Sequence, residues 1–124
     1  MKTMKNVLCL FWMSFFFINC NSQEEIKSIS TIVLKVLLEK ENVQLIDVRS
    51  LKEIKEGFIE TAKFANYFDA DFYTIAVNQL NKSKPVYLYC KSGNRSGKSA
   101  KILQEKGYEV YNVIGGYNQW KLEN

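Results

Sequence analysis

The fold class this sequence predicts is α/β: a small parallel sheet flanked by helices on both faces. Short apolar, β-prone runs at Val43 to Val48, Val86 to Tyr89 and Val110 to Val113 alternate with segments of helical period. Strands and helices alternating at this spacing imply parallel strands joined by crossovers. The chain has 124 residues, 47% hydrophobic and 24% charged, which is room for one domain with a single core.

The first nineteen residues differ from the rest. Met1 to Lys5 is basic, and Val7 to Ile18 is apolar without a charge. A membrane span needs roughly twenty apolar residues, so the better reading is a cleaved secretory signal over 1–19. It closes on Phe17-Ile18-Asn19-Cys20 and runs into the polar, acidic Asn21-Ser22-Gln23-Glu24-Glu25. This resembles a bacterial lipoprotein signal. The resemblance implies a lipid on Cys20, a polar tether over 20–29, and an exported domain over 30–124, anchored in the cell envelope on a periplasmic or outward face. An ordinary signal cut nearby and an uncleaved anchor remain the alternatives.

Processing would also change charge and thiol content. Removing Lys2 and Lys5 takes the formal charge from +4 to +2, too little to argue for a nucleic-acid partner. Cys9 would leave with the signal and lipid would occupy Cys20, so Cys90 stands alone with no intramolecular disulfide open to it. Such a thiol in an exported protein is either reactive or simply buried.

Each element has a local cause. Ser30 is a cap for a helix from Thr31 to Lys40, whose apolar stripe is expected to be Ile32, Val33, Val36 and Leu37. Val43 to Val48 reads as a buried strand. Ser50-Leu51-Lys52-Glu53 has the form of a capping box, with Gly57 as the stop, which predicts a short helix over 51–56. Ala62 to Ala65 is a short strand, Asp69 or Asp71 opens a helix ending near Leu80, and Asn81 to Lys84 is a turn. After the strand Val86 to Tyr89, a helix is expected from Arg95 to Lys106, with Ala100, Ile102 and Leu103 inward and Gly107 as its stop. Val110 to Val113 is another strand, and Gly115-Gly116 turns the chain into a last helix carrying Trp120.

The chemistry concentrates in Cys90-Lys91-Ser92-Gly93-Asn94-Arg95-Ser96, which lies between a strand and a helix. Sites in parallel sheets collect at the carboxyl ends of strands. A helix N-terminus together with Lys91 and Arg95 should favour the thiolate, the reactive form of cysteine. Gly93 permits a turn in which successive amides converge on an anion. The sequence has no histidine, which removes Cys-His nucleophilic catalysis, most zinc chemistry and any histidine base. Neither a metal nor an organic cofactor is implied.

Taken together, these segments resemble the rhodanese homology domain over about Ser30 to Lys121. Leu45 to Arg49 resembles that family's first sheet motif, and Glu53 with Glu56 to Ile59 its second. Val86 to Ser96 resembles its active loop, and Gly115-Gly116 with Trp120 its closing motif. The resemblance implies a sulfurtransferase: Cys90 accepts a sulfane sulfur as a persulfide from a small anionic donor such as thiosulfate, then passes it to a thiol or cyanide. Lys91 to Arg95 would then surround the persulfide, with Lys91 and Arg95 attracting the donor. Asp47 and Arg49 would support the loop, with Glu53 as an ion partner for Arg49. Phe58 stands where the family usually has histidine, and Glu60-Thr61 where it has Pro-Gly. The alternative from another class is a non-catalytic rhodanese-like module that binds a partner or carries sulfur.

Loop length separates relatives of this fold. Four residues lie between Cys90 and Arg95. The related phosphatases and arsenate reductases carry five, which makes a wider cradle for a tetrahedral oxyanion. Gly97-Lys98-Ser99 imitates the end of a nucleotide-binding P-loop, but Ser92 occupies the position where that motif needs its first glycine.

Overall fold

A computed structural model describes residues 24–124. The leader and Cys20 lie outside the described residues. Five strands, β1 (Lys27–Ile29), β2 (Gln44–Asp47), β3 (Lys63–Phe64), β4 (Val86–Tyr89) and β5 (Val110–Val113), form one sheet in the order β1-β5-β4-β2-β3. Every adjacent pair is parallel. Five helices connect and cover them: α1 (Thr31–Lys40), α2 (Leu51–Lys55), α3 (Phe72–Val77), α4 (Asn94–Glu105) and α5 (Gly116–Glu123).

Alternation along the strands builds two cores. On one face Ile46, Val86, Leu88 and Val110 pack with Phe72 and Ala76 of α3 and with Ala100 and Leu103 of α4. On the other, Leu45, Tyr89 and Val113 pack with Leu34 of α1 and, at the margin, Trp120 of α5. A strand buried on both faces has no polar alternation, which is why β4 reads as a continuous apolar run.

The caps follow the sequence. Ser30 Oγ accepts from Val33 N at 3.1 Å, and Ser50 with Glu53 completes a capping box on α2. The inward stripe of α1 departs from the expectation. Thr31 and Leu34 are buried, while Ile32, Val33 and Val36 are exposed at 64%, 46% and 43%. The helix carries two apolar arcs, and periodicity alone does not choose between them. Thr31 can occupy the covered arc because its hydroxyl donates to Glu123 on α5.

Two further features were absent from the sequence expectations. Lys27 to Ile29, assigned to the tether, pair with Tyr111 to Val113 as the edge strand β1. Thr61, where the family pattern has glycine, takes a φ of 76°, the only positive φ of a non-glycine residue among the described residues. The turn keeps the backbone state of a glycine although a β-branched residue fills it, and Ala62 N still closes it on Ile59 O at 3.1 Å.

Chain direction positions the site. The connection leaving β2 passes outward to β3, whereas the one leaving β4 passes the opposite way to β5. Connections that diverge in this way open a crevice at the carboxyl ends of the strands between them. Cys90 follows the last residue of β4 there, with Val48 N donating to Tyr89 O at 3.0 Å. No helix among the described residues is long and apolar enough to cross a membrane.

Candidate active site

Cys90 is 1% exposed and is the free cysteine of the described region. The chain turns sharply after it because Gly93 takes a φ of 118° and precedes α4 as a cap without a side chain. The amides at the start of α4 are therefore not claimed by a capping group. Gly93 N donates to the sulfur at 3.1 Å, and Ser96 Oγ lies 3.3 Å from it. Burial pushes the Cys90 thiol up, but the Ser96 hydroxyl and the amides of Ser96, Gly93 and Ser92 outweigh it and hold the thiol below its ordinary value.

The cations do less than expected. Arg95 forms a bidentate pair with Glu53, Nη1 to Oε1 at 2.8 Å and Nη2 to Oε2 at 2.9 Å, and lies over the Phe68 ring. Its charge is thus largely answered by α2, so it braces the start of α4 more than it serves the sulfur. Lys91 and Ser92 on the loop and Asn94 at the start of α4 are exposed. Lys91 lines a recess of about 310 Å³ beside the loop together with Arg49, Glu53, Glu56, Tyr117, Asn118 and Lys121, a mixed wall in which Lys91 and Lys121 are the cations open to an incoming anion. A slightly larger cleft of about 350 Å³ opens around Asn42, Gln44 and Tyr87 at the amino ends of the strands, the end opposite Cys90.

Glu53, expected beside Arg49, belongs to Arg95 instead. Arg49 is taken by Asp47: Nε lies 3.0 Å from Oδ1 and Nη2 lies 2.7 Å from Oδ2, with Nη2 also donating to Gly57 O at 2.8 Å. Two residues apart at a strand end, the two side chains meet directly, and Glu53 on the next helix reaches across to α4. The Arg49 guanidinium lies 4.3 Å from the centre of the Tyr117 ring. Because Tyr117 N donates to Cys90 O at 2.8 Å, the Asp47 and Arg49 pair bears on the nucleophile only through the scaffold.

The amino end of α5 secures the loop from the other side. Besides the Tyr117 bond, Asn118 N donates to Lys91 O at 3.0 Å. Gly116 makes this possible: a Cβ there would lie 2.5 Å from Cys90 O and 2.7 Å from Lys91 O. Of the P-loop-like residues, Ser99 is buried with its Oγ donating to Arg95 O at 2.8 Å, and Lys98 is exposed.

Asn112, on β5, escaped the sequence reading. Its Nδ2 donates to Gly93 O at 3.0 Å and its Oδ1 accepts from Ser96 Oγ at 2.6 Å, tying the loop to the sheet. The one available signal was an asparagine inside a β-prone run just before Gly115-Gly116.

The Glu53 carboxyl is held at about 2, mainly by the hydrogen bonds from Arg95, against burial and with help from Ser50. A depressed carboxylate contributes stability that is fully present above its unfolded value, near 4.5, and is lost as pH falls toward about 2. Thermal melts of the protein and of Glu53→Gln should therefore differ near neutral pH and converge across that window. A gap that does not change across that window would show that ionisation of Glu53 contributes nothing to stability.

The model of the rhodanese-like domain matches residues 30–123. YtwF of Bacillus subtilis is 39% identical over 100 residues, covering 80% of this chain and 94% of its own. Thiosulfate sulfurtransferase GlpE of Coxiella burnetii is 33% identical over 99 residues, covering 79% of this chain and 90% of its own. Among solved structures, a rhodanese-like domain protein from Staphylococcus aureus superposes with a TM-score of 0.69 at 38% identity, over 77% of this chain and 91% of that one.

Proposed function

The chain belongs to the rhodanese-like domain family, and from that membership we propose that it is a sulfurtransferase in which Cys90 carries the sulfur as a persulfide. One observation carries the reading most directly: a depressed thiol at a strand end, faced by the Gly93 amide at 3.1 Å and by Ser96 at 3.3 Å, with no general base required.

The steps balance without a proton relay. The Cys90 thiolate attacks the outer sulfur of thiosulfate or a similar donor, the S–S bond of the donor breaks, and sulfite leaves with the electron pair. An acceptor, cyanide or a thiolate, then attacks the outer sulfur of the persulfide. The bond to Sγ breaks and its electron pair returns to Cys90. Negative charge stays within the loop at each stage, where amides already converge.

The test is mass spectrometry of the purified, reduced protein after thiosulfate, paired with thiocyanate production from thiosulfate and cyanide. The expected result is a gain of about one sulfur (~32 Da) on Cys90 together with turnover. A folded protein that gives neither, with thiosulfate or with polysulfide, would leave the non-catalytic binding or sulfur-carrier reading.

The leader completes the proposal: the mature protein is held by a lipid on Cys20 in the bacterial cell envelope, facing the periplasm or the exterior. Its support is the basic start, the apolar run of Val7 to Ile18 and the polar stretch after Cys20. Processing should be blocked by globomycin and lipid labelling lost in Cys20→Ala. Unaltered processing would overturn it.

A further inference from the structure

A hydroxyl has one proton, and Ser96 is placed between two acceptors for it. Its Oγ is 2.6 Å from Asn112 Oδ1 and 3.3 Å from Cys90 Sγ. The orientation of the Asn112 amide is not free: Gly93 O can only accept, so the group 3.0 Å from it must be Nδ2, and Oδ1 must face Ser96. Gly97 leaves room for this packing, since a Cβ there would come within 3.2 Å of Nδ2. Ser96 is fully buried and Asn112 is 9% exposed, and the bond between them is buried, so water has little access to it.

While Cys90 is a thiol or a persulfide, its Sγ is a weak acceptor and the Ser96 proton belongs to Asn112. In the thiol, S–H can then donate to the free lone pair of Ser96, and every group in the chain is satisfied. Once Sγ carries a full negative charge, as it does before attack on a donor and after sulfur departs, it competes for the same proton. We propose that Asn112 is the positioning residue of a switchable hydroxyl, holding the Ser96 proton when the sulfur is neutral and yielding it when the sulfur is an anion. This rests on the proposed thiolate chemistry of Cys90 but requires no particular donor or acceptor. Asn112 thereby opposes the thiolate through Ser96, while supporting it separately by fixing Gly93.

Those two effects separate in a double-mutant cycle. The charged and titratable groups around the sulfur are Asp47 at the end of β2 and Arg49 after it, Glu53 on α2, Tyr89 on β4, Lys91 and Arg95 on the loop and α4, and Tyr117 and Lys121 on α5; none is altered in the cycle. The rate of Cys90 alkylation by iodoacetamide, followed against pH in the purified protein, reports the thiolate without any sulfur donor. It therefore fails or succeeds independently of sulfur transfer. Asn112→Leu is compared with the native protein, and Asn112→Leu with Ser96→Ala is compared with Ser96→Ala alone. Loosening of Gly93 is common to both comparisons and cancels. The switch predicts that, with Ser96 present, Asn112→Leu moves the alkylation midpoint to lower pH relative to its effect without Ser96. The difference should be about threefold or more in rate on the acid side, as for groups sharing one network. Equal shifts in the two comparisons, or a shift to higher pH with Ser96 present, would overturn it, and a merely structural role for Asn112 would give the equal shifts. If Asn112→Leu does not fold, Asn112→Ala closes the same cycle and is read the same way.

Discussion

Cys90→Ser is expected to produce no thiocyanate from thiosulfate and cyanide while keeping the native fold. The hydroxyl is smaller than the thiol but can take over both polar contacts, the Gly93 amide at 3.1 Å and Ser96 at 3.3 Å. Burial of the substituted group therefore costs little, about 1–2 kcal/mol at most. Chemistry is another matter. An alcohol does not ionise near neutral pH, and the amides that depress a thiol do not bring it within range. Oxygen in that place also has no persulfide to offer. Turnover should fall by at least about 10³-fold, within the roughly 10⁶-fold loss seen when a nucleophile is removed from an otherwise intact site. The measurement is thiocyanate release alongside a melting curve. Retained release with a native melt would mean that sulfur passes through the recess beside Lys91 without covalent attachment, and would sink the persulfide reading.

Much of the scaffold could be read from the residues because its causes are local. Ser30, the Ser50 and Glu53 box, and the glycines before α4 and α5 act within one turn of the chain, and the central strand β4 is marked by an uninterrupted apolar run. The features that were missed depend on what lies across the sheet. The three residues of β1 become a strand only because β5 offers an open edge. The choice between the two arcs of α1 follows from where β1 delivers the helix and from Glu123 on α5. In the site, cationic residues beside a cysteine suggested that charge would hold the thiolate. The structure assigns that task first to Ser96 and to backbone amides, because Glu53, distant in sequence from Arg95, has already claimed the guanidinium. Asn112 was illegible for the same reason: its role exists only where β5 passes beside Gly93 and Ser96.

Asp47→Ala is expected to be severely destabilising, by about 3–5 kcal/mol, which is the range for leaving one partner of a buried ion pair alone. The Asp47 and Arg49 side chains are 0% and 4% exposed, so water cannot replace the carboxylate. What remains for Arg49 is Gly57 O and the rings of Tyr117 and Tyr89, which are partial compensation for a full charge. Asp47 also accepts the Arg49 amide at 2.9 Å, so its loss frees the backbone next to β2 as well. Against a total of roughly 5–15 kcal/mol for a domain of this kind, the loss should lower the melting temperature by on the order of 15 °C. Removing the charge with its partner, in Asp47→Ala combined with Arg49→Met, should recover part of that loss, because the penalty lies in the orphaned guanidinium and not in the missing bond. The folded fraction of Asp47→Ala, assayed well below its melt, should still transfer sulfur, since the pair bears on Cys90 only through the neighbouring Tyr89 and Tyr117. A variant that melts like the native protein yet transfers nothing would invert this assignment, making Asp47 part of the chemistry and not of the frame that holds it.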